Sequence, residues 1–146
     1  MEHVLVLIKP EGVQRAIVGE IINHFNKPSL KIVALKMVKP SVALVKKHYI
    51  LLKNKFFYAQ IADHLTGKFH QGAPVVAMII QGKGSVKKCR LIAGATNPKE
   101  ADPKSIRGKY GRIKNGLFEN IVHVSSSPEE AKREIALWFK KSEIIN

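Results

Sequence analysis

The sequence predicts an α/β sandwich, with helices laid over a small sheet. Short apolar runs recur over residues 4–8, 30–38, 74–80 and 120–124. Between them, apolar residues fall at three- and four-residue steps, the mark of helices with one buried face. Glycine, proline or serine punctuates the junctions, so strands alternate with helices along the chain.

The run 4–8 reads as a buried strand that closes in a turn at Lys9-Pro10-Glu11-Gly12, with Lys9 at its end. Over 14–25, Ile17, Val18, Ile21, Ile22 and Phe25 share one helical face, and Lys27-Pro28-Ser29 stops the helix. Residues 30–38 are strand-like, apolar on both faces apart from Lys31 and Lys36. A helix over 41–52 starts at Pro40 and Ser41 and turns Leu44, Val45, Tyr49 and Leu52 inward. A second short helix covers 57–65, and 66–72 is a loop. The third strand, 74–80, runs into a turn at Gly82 and Gly84. A helix over 85–92 is broken by Gly94-Ala95-Thr96-Asn97-Pro98. Residues 99–119 lack periodicity and read as a surface loop, of a length uncommon without a role. The last strand, 120–124, carries His123 at its far end. Ser127-Pro128-Glu129-Glu130 then opens a helix over 128–139, with Ser127 as N-cap, Pro128 in the first position and Glu130 closing a capping box. Ala131, Ile135 and Trp138 line one face of that helix.

A chain of 146 residues is read as one domain, 1–146, large enough for a substantial core. Its formal net charge of +14 concentrates anions around it: nucleic acid, acidic membrane or nucleotide phosphates. Many of the lysines need no more than a solvated surface to explain them. The single Cys89 excludes an intrachain disulfide and a cysteine metal cluster, and favours a reducing compartment. The first ten residues have too short an apolar run and no basic leader for a signal peptide, and no run reaches membrane-spanning length. The expected location is cytoplasmic, with no membrane partner.

The residues able to do chemistry form a coherent set. Lys9, Arg90 and Arg107 are cations at strand, helix or loop ends; Thr96, Asn120 and Tyr49 are neutral hydrogen-bonding groups. His123 is the one candidate nucleophile or base. Guanidinium forks and an ammonium point charge suit phosphate oxygens. Taken singly, each cation is equally well an exposed charge, and His123 a structural histidine. Gly82-Lys83-Gly84-Ser85 lacks the spacing of a nucleotide-hydrolase phosphate loop. No group of histidines and carboxylates has zinc-like spacing, so no residue is assigned to a metal; any metal would be magnesium carried in with phosphates.

Seven segments carry a resemblance. They are Ile8-Lys9-Pro10-Glu11-Gly12-Val13-Gln14-Arg15, Gly19-Glu20-Ile21-Ile22, His48-Tyr49 with Leu52-Lys53, Pro74-Val75-Val76-Ala77-Met78, Gly94-Ala95-Thr96-Asn97-Pro98, Ser105-Ile106-Arg107-Gly108 and Asn120-Ile121-Val122-His123. In this order and spacing the chain resembles the nucleoside diphosphate kinase family nearly end to end. The resemblance implies a ferredoxin-like fold, a small and mostly antiparallel sheet covered by helices. It implies ping-pong transfer of a γ-phosphoryl group from a nucleoside triphosphate to a nucleoside diphosphate, with His123 as the nucleophile. Glu134 would orient the imidazole and Ser125 support that glutamate. Lys9, Tyr49, Arg90, Thr96, Arg107 and Asn120 match positions that hold phosphates and ribose, and Phe57 the aromatic that stacks the base. Mg2+ bound mainly through nucleotide phosphates is implied, as is a homo-oligomer, a hexamer by resemblance with tetramer or dimer left open.

The chain departs from the pattern in several places. Val124 stands where Gly or Ala is usual; Ser126 and Lys109 stand where aspartates are common. Valine is larger and stiffer beside the imidazole, and two acidic groups near the phosphates are missing. Relative to shorter members, residues are added in the 66–72 loop and before Asn120. Two rival readings follow: a basic module that holds single-stranded nucleic acid on Phe56, Phe57 and Tyr58, and an inactive relative serving as a scaffold.

Overall fold

The computed structural model describes residues 1–145. In chain order its elements are β1 (Glu2–Ile8), α1 (Pro10–Gln14), α2 (Val18–Phe25), β2 (Lys31–Val38), α3 (Val42–His48), α4 (Tyr58–Leu65), β3 (Val75–Gly82), α5 (Ser85–Ala93), α6 (Ile106–Tyr110), β4 (Arg112–Lys114), β5 (Leu117–Glu119), β6 (Val122–Val124) and α7 (Pro128–Trp138). The main sheet has the order β2-β3-β1-β6, and its pairings are all antiparallel. This is the helix-covered antiparallel sheet that the ferredoxin-like expectation requires.

The central strands are continuous apolar runs because both faces of the sheet are covered. Side chains alternate along a strand. Val4, Val6 and Ile8 of β1 join Val76, Met78 and Ile80 of β3 in one core, which receives Ile21 and Phe25 from α2 and Cys89 from α5. Leu5 and Leu7 join Ala77 and Ile79 in the other, packed under Val45 of α3, Leu65 of α4 and Trp138 of α7. Each such aliphatic contributes about 1.5–3 kcal/mol on burial, so β1 anchors whatever its C-terminal end presents.

Four stretches differ from the sequence expectation. Lys9-Pro10-Glu11-Gly12 is not a turn but the start of α1, since Pro10 at the first helical position is pre-set for helix. The helix expected over 14–25 is interrupted at Ala16, whose φ of 56° separates α1 from α2. The one expected over 41–52 ends as α3 at His48, followed by a single 3-10 turn, Ile50–Leu52. Residues 99–119 are structured. Ser105 Oγ caps α6 by accepting from the Gly108 N–H (3.1 Å). Asn115 and Gly116, with φ of 51° and 74°, turn β4 into β5 as an Asn-Gly hairpin. On α7, Ser127 Oγ accepts from the Glu130 N–H as expected (3.1 Å). The Glu130 carboxylate closes no capping box; it accepts from Arg133 instead (2.7 Å).

Candidate functional site

The C-terminal end of β1, the turn into β6 and the starts of α4 and α6 face a common cleft of about 720 Å³. All seven residues expected to bind substrate line it: Lys9, Tyr49, Phe57, Arg90, Thr96, Arg107 and Asn120. His123 lines it as well, while Glu134 and Ser125 lie buried beneath the ring.

His123 Nε2 lies 3.1 Å from Glu134 Oε2, and Ser125 Oγ donates to that same oxygen at 2.5 Å. The carboxylate therefore holds one ring nitrogen and leaves Nδ1 as the other. Neighbouring rings fix the imidazole plane: His48 meets it edge-on at 4.4 Å and Tyr49 at 6.1 Å, centroid to centroid. His48 is itself held by Trp138 Nε1, which donates to its Nδ1 (3.1 Å). Burial, with His123, Arg133 and Lys9 nearby, pushes His48 down to about 2, so it is a neutral wall.

Ahead of the histidine the backbone is strained. Ile121 has φ of 73°, a region that a β-branched residue rarely enters and that costs about 1–3 kcal/mol. Three bonds hold it there: its N–H donates to Glu11 Oε1 (3.2 Å), its carbonyl accepts from the Lys9 N–H (2.8 Å), and the Val122 N–H donates to the Asn120 carbonyl (2.8 Å). The kink turns Asn120 back toward β1. There its Oδ1 accepts from Lys9 Nζ (2.8 Å), and its Nδ2 donates to the Thr96 carbonyl (3.0 Å).

Arg107 is clamped, donating through Nη1 to the Gly94 carbonyl and through Nη2 to the Val122 carbonyl, both at 2.8 Å. Its Nε is buried without a partner. Gly94 has φ of 89°, and a Cβ there would come within 2.2 Å of Ser105 Oγ, so only glycine allows this approach. Burial, with Arg90 beside it, lowers Arg107 to about 10. Burial also lowers Lys9 to about 8, with Glu11 opposing and Arg107 adding to the effect. Tyr49 is raised above the ordinary phenol value, first by burial, and stays neutral. Crowded, desolvated cations of this kind are relieved by an anion.

The nucleoside diphosphate kinase family pattern matches residues 2–144. The chain belongs to the nucleoside diphosphate kinase family. A nucleoside diphosphate kinase from Archaeoglobus fulgidus is 42% identical over 146 residues, covering 100% of this chain and 91% of the relative. One from Pyrococcus furiosus is 44% identical, covering 99% and 86%. Among solved structures, the Borrelia burgdorferi nucleoside-diphosphate kinase, a transition state mimic with bound vanadate and ADP, superposes with a TM-score of 0.89 at 30% identity, covering 99% of this chain and 90% of that one. A nucleoside diphosphate kinase family protein from Babesia bovis gives 0.88 at 36% identity, covering 100% and 93%.

Against the family pattern, the three departures have unequal weight. Val124 is only 5% exposed and packs with Val122 into the core, its side chain alternating with the imidazole along β6, and it also borders the cleft. The Lys109 ammonium lies over the Tyr110 ring, 5.4 Å from its centroid. Ser126 lines the cleft, as Val124 also does. Among the described residues no Asp or Glu lines the cleft, so the chain offers no carboxylate cage for a magnesium ion there. Sequence reasoning missed His48 as a ring support and Phe118, which lines the cleft together with Phe57. The Asn115-Gly116 pair, which signals the hairpin carrying Phe118, could have found the latter. Phe56 and Phe57 meet edge-on just before α4, not on a strand as an RNA-binding sheet requires. Among the described residues no helix is long and apolar enough to cross a membrane.

Proposed function

We propose that this chain is a nucleoside diphosphate kinase that works through a phosphohistidine at His123. The observation that supports it best is one imidazole nitrogen tied to Glu134 in a cleft of desolvated cations. In the first half-reaction Nδ1 attacks the γ-phosphorus of a nucleoside triphosphate. A P–N bond forms, the bond to the β,γ-bridging oxygen breaks, and the diphosphate leaves. In the second half, a terminal oxygen of another nucleoside diphosphate attacks the same phosphorus and the P–N bond breaks. Glu134 and Ser125 keep the ring oriented while it gains charge. Lys9, Arg90 and Arg107 neutralise the phosphate oxygens through a transition state that needs positioning more than covalent help. Tyr49, Thr96 and Asn120 supply neutral contacts to phosphate and ribose. Phe57 stacks the base, a contact that tolerates any base because each has a π face.

Mg2+ would enter on the nucleotide's own phosphates, with the Ser126 hydroxyl in the same cleft. The chain works in the cytoplasm as a single domain that assembles with copies of itself. Edge strand β2 exposes Leu35 (53%) and Met37 (62%), an apolar surface suited to a second copy. The test is steady-state kinetics with two nucleotides varied together. Parallel double-reciprocal lines are expected, with exchange between labelled ADP and ATP in the absence of any second nucleotide. Intersecting lines without that exchange would remove the covalent intermediate.

A further inference from the structure

Spacing along the chain suggests no imidazole–carboxylate metal site, yet the fold assembles one beside the cleft. Glu11 of α1, His64 of α4 and His70 of the 66–72 loop are buried, and a donor atom from each lies within 4.8 Å of the others. The two rings are 5.3 Å apart, centroid to centroid, and tilted by 30°. His64 Nε2 lies 2.7 Å from Glu11 Oε2. His70 Nε2 lies 2.5 Å from Glu119 Oε2, and Arg112 Nε donates to the other oxygen of that carboxylate at 2.6 Å. His70 Nδ1 is buried with no hydrogen-bond partner.

We propose that Glu11, His64 and His70 form a structural binding site for a zinc-class divalent cation, with Glu119 as the outer carboxylate that orients His70. The donor set argues for it: two imidazoles and a carboxylate suit zinc and are foreign to magnesium. The Glu119 carboxylate takes His70 on its Nε2 side and Arg112 on its other oxygen, which leaves His70 Nδ1 buried with no hydrogen-bond partner. A carboxylate fixing the far nitrogen of a ligating histidine is the usual outer support of a metal site. The site would tie α1, α4 and the 66–72 loop together at the edge of the cleft, where His64 also forms part of the wall and Glu11 holds the Ile121 N–H, and its evidence is independent of the proposed phosphoryl transfer.

The test uses the full chain, stripped with chelator and reloaded with zinc alone, in a His123→Gln background so that the His48, His123 and Glu134 group cannot compete. One tightly held zinc per chain is expected, with a higher Tm than the stripped protein that excess magnesium does not reproduce. His70→Asn should lower zinc affinity about 100-fold or more, and Glu119→Gln about 10–100-fold through the loss of ring orientation. Should a variant fail to fold, imidazole 15N NMR of the His123→Gln chain reads the site directly. Zinc should move the His64 and His70 signals and leave His48 in place. No retained zinc, retention unchanged in His70→Asn, or shifts confined to other histidines would overturn the proposal.

Discussion

His123–Glu134 and His70–Glu119 are the same chemical pair in opposite settings. The first sits where a strand hands over to a helix, with side chains 17% and 5% exposed and a contact of 3.1 Å. The second joins a loop to a hairpin strand, with side chains 3% and 2% exposed and a contact of 2.5 Å. In both, a carboxylate takes one nitrogen and leaves the other. At His123 that other nitrogen belongs to a ring facing a cationic cleft; at His70 it is sealed inside. A histidine–carboxylate pair is thus not a catalytic signature in itself. Access and the charge of the surroundings decide whether the second nitrogen meets a phosphate or an interior ligand.

The sharpest way to break the comparison is to remove the exposed ring. His123→Gln should cost at least ~10³-fold in kcat, because the covalent route is lost entirely. Steady-state transfer between two nucleotides measures it, and the fold should persist because the ring is not part of either core. Arg107→Ala comes next. Removing one positioned charge from the transition state should cost roughly 10²–10³-fold in kcat/KM. Because Gly94 and Val122 lose their donor, stability should fall by about 1–3 kcal/mol in a urea titration. Glu134→Gln keeps the shape but not the charge that favours the ring's cationic state. A loss of about 10²-fold in kcat with KM little changed is expected.

A smaller effect comes from pH. Lys9 is lowered to about 8 in the free protein, so its ammonium is lost as pH rises through that value. The fall should appear in kcat/KM, which reports free enzyme, as a decline of roughly tenfold per unit at most above pH 8. It should be weaker in kcat, because bound phosphates hold the proton on.

How much of this was legible in the sequence follows the same divide. The His123 side was readable because its signals are local: an apolar run, Ser127 and Pro128 opening a helix, and a glycine-broken turn at Gly94. The phosphate-binding candidates, distant in sequence, were gathered by order and spacing across the chain, and the fold brings them to one cleft. The buried pairs were not readable. His64 meets Glu11 across 53 positions and His70 meets Glu119 across 49, and no periodicity joins residues so far apart. The 99–119 stretch failed for another reason. Its helix and strands are only five and three residues long, too short to show a period, so only the Ser105 cap and the Asn115-Gly116 turn mark them.

The most direct test of the account is to find the phosphoryl group. The chain is incubated with γ-labelled ATP, digested under alkaline conditions, and the labelled peptide mapped by mass spectrometry and 31P NMR. The account predicts an acid-labile, alkali-stable phosphoramidate on Nδ1 of His123 that disappears when a nucleoside diphosphate is added. A phosphoryl group on another residue, on Nε2, or present but not discharged by the diphosphate would contradict it.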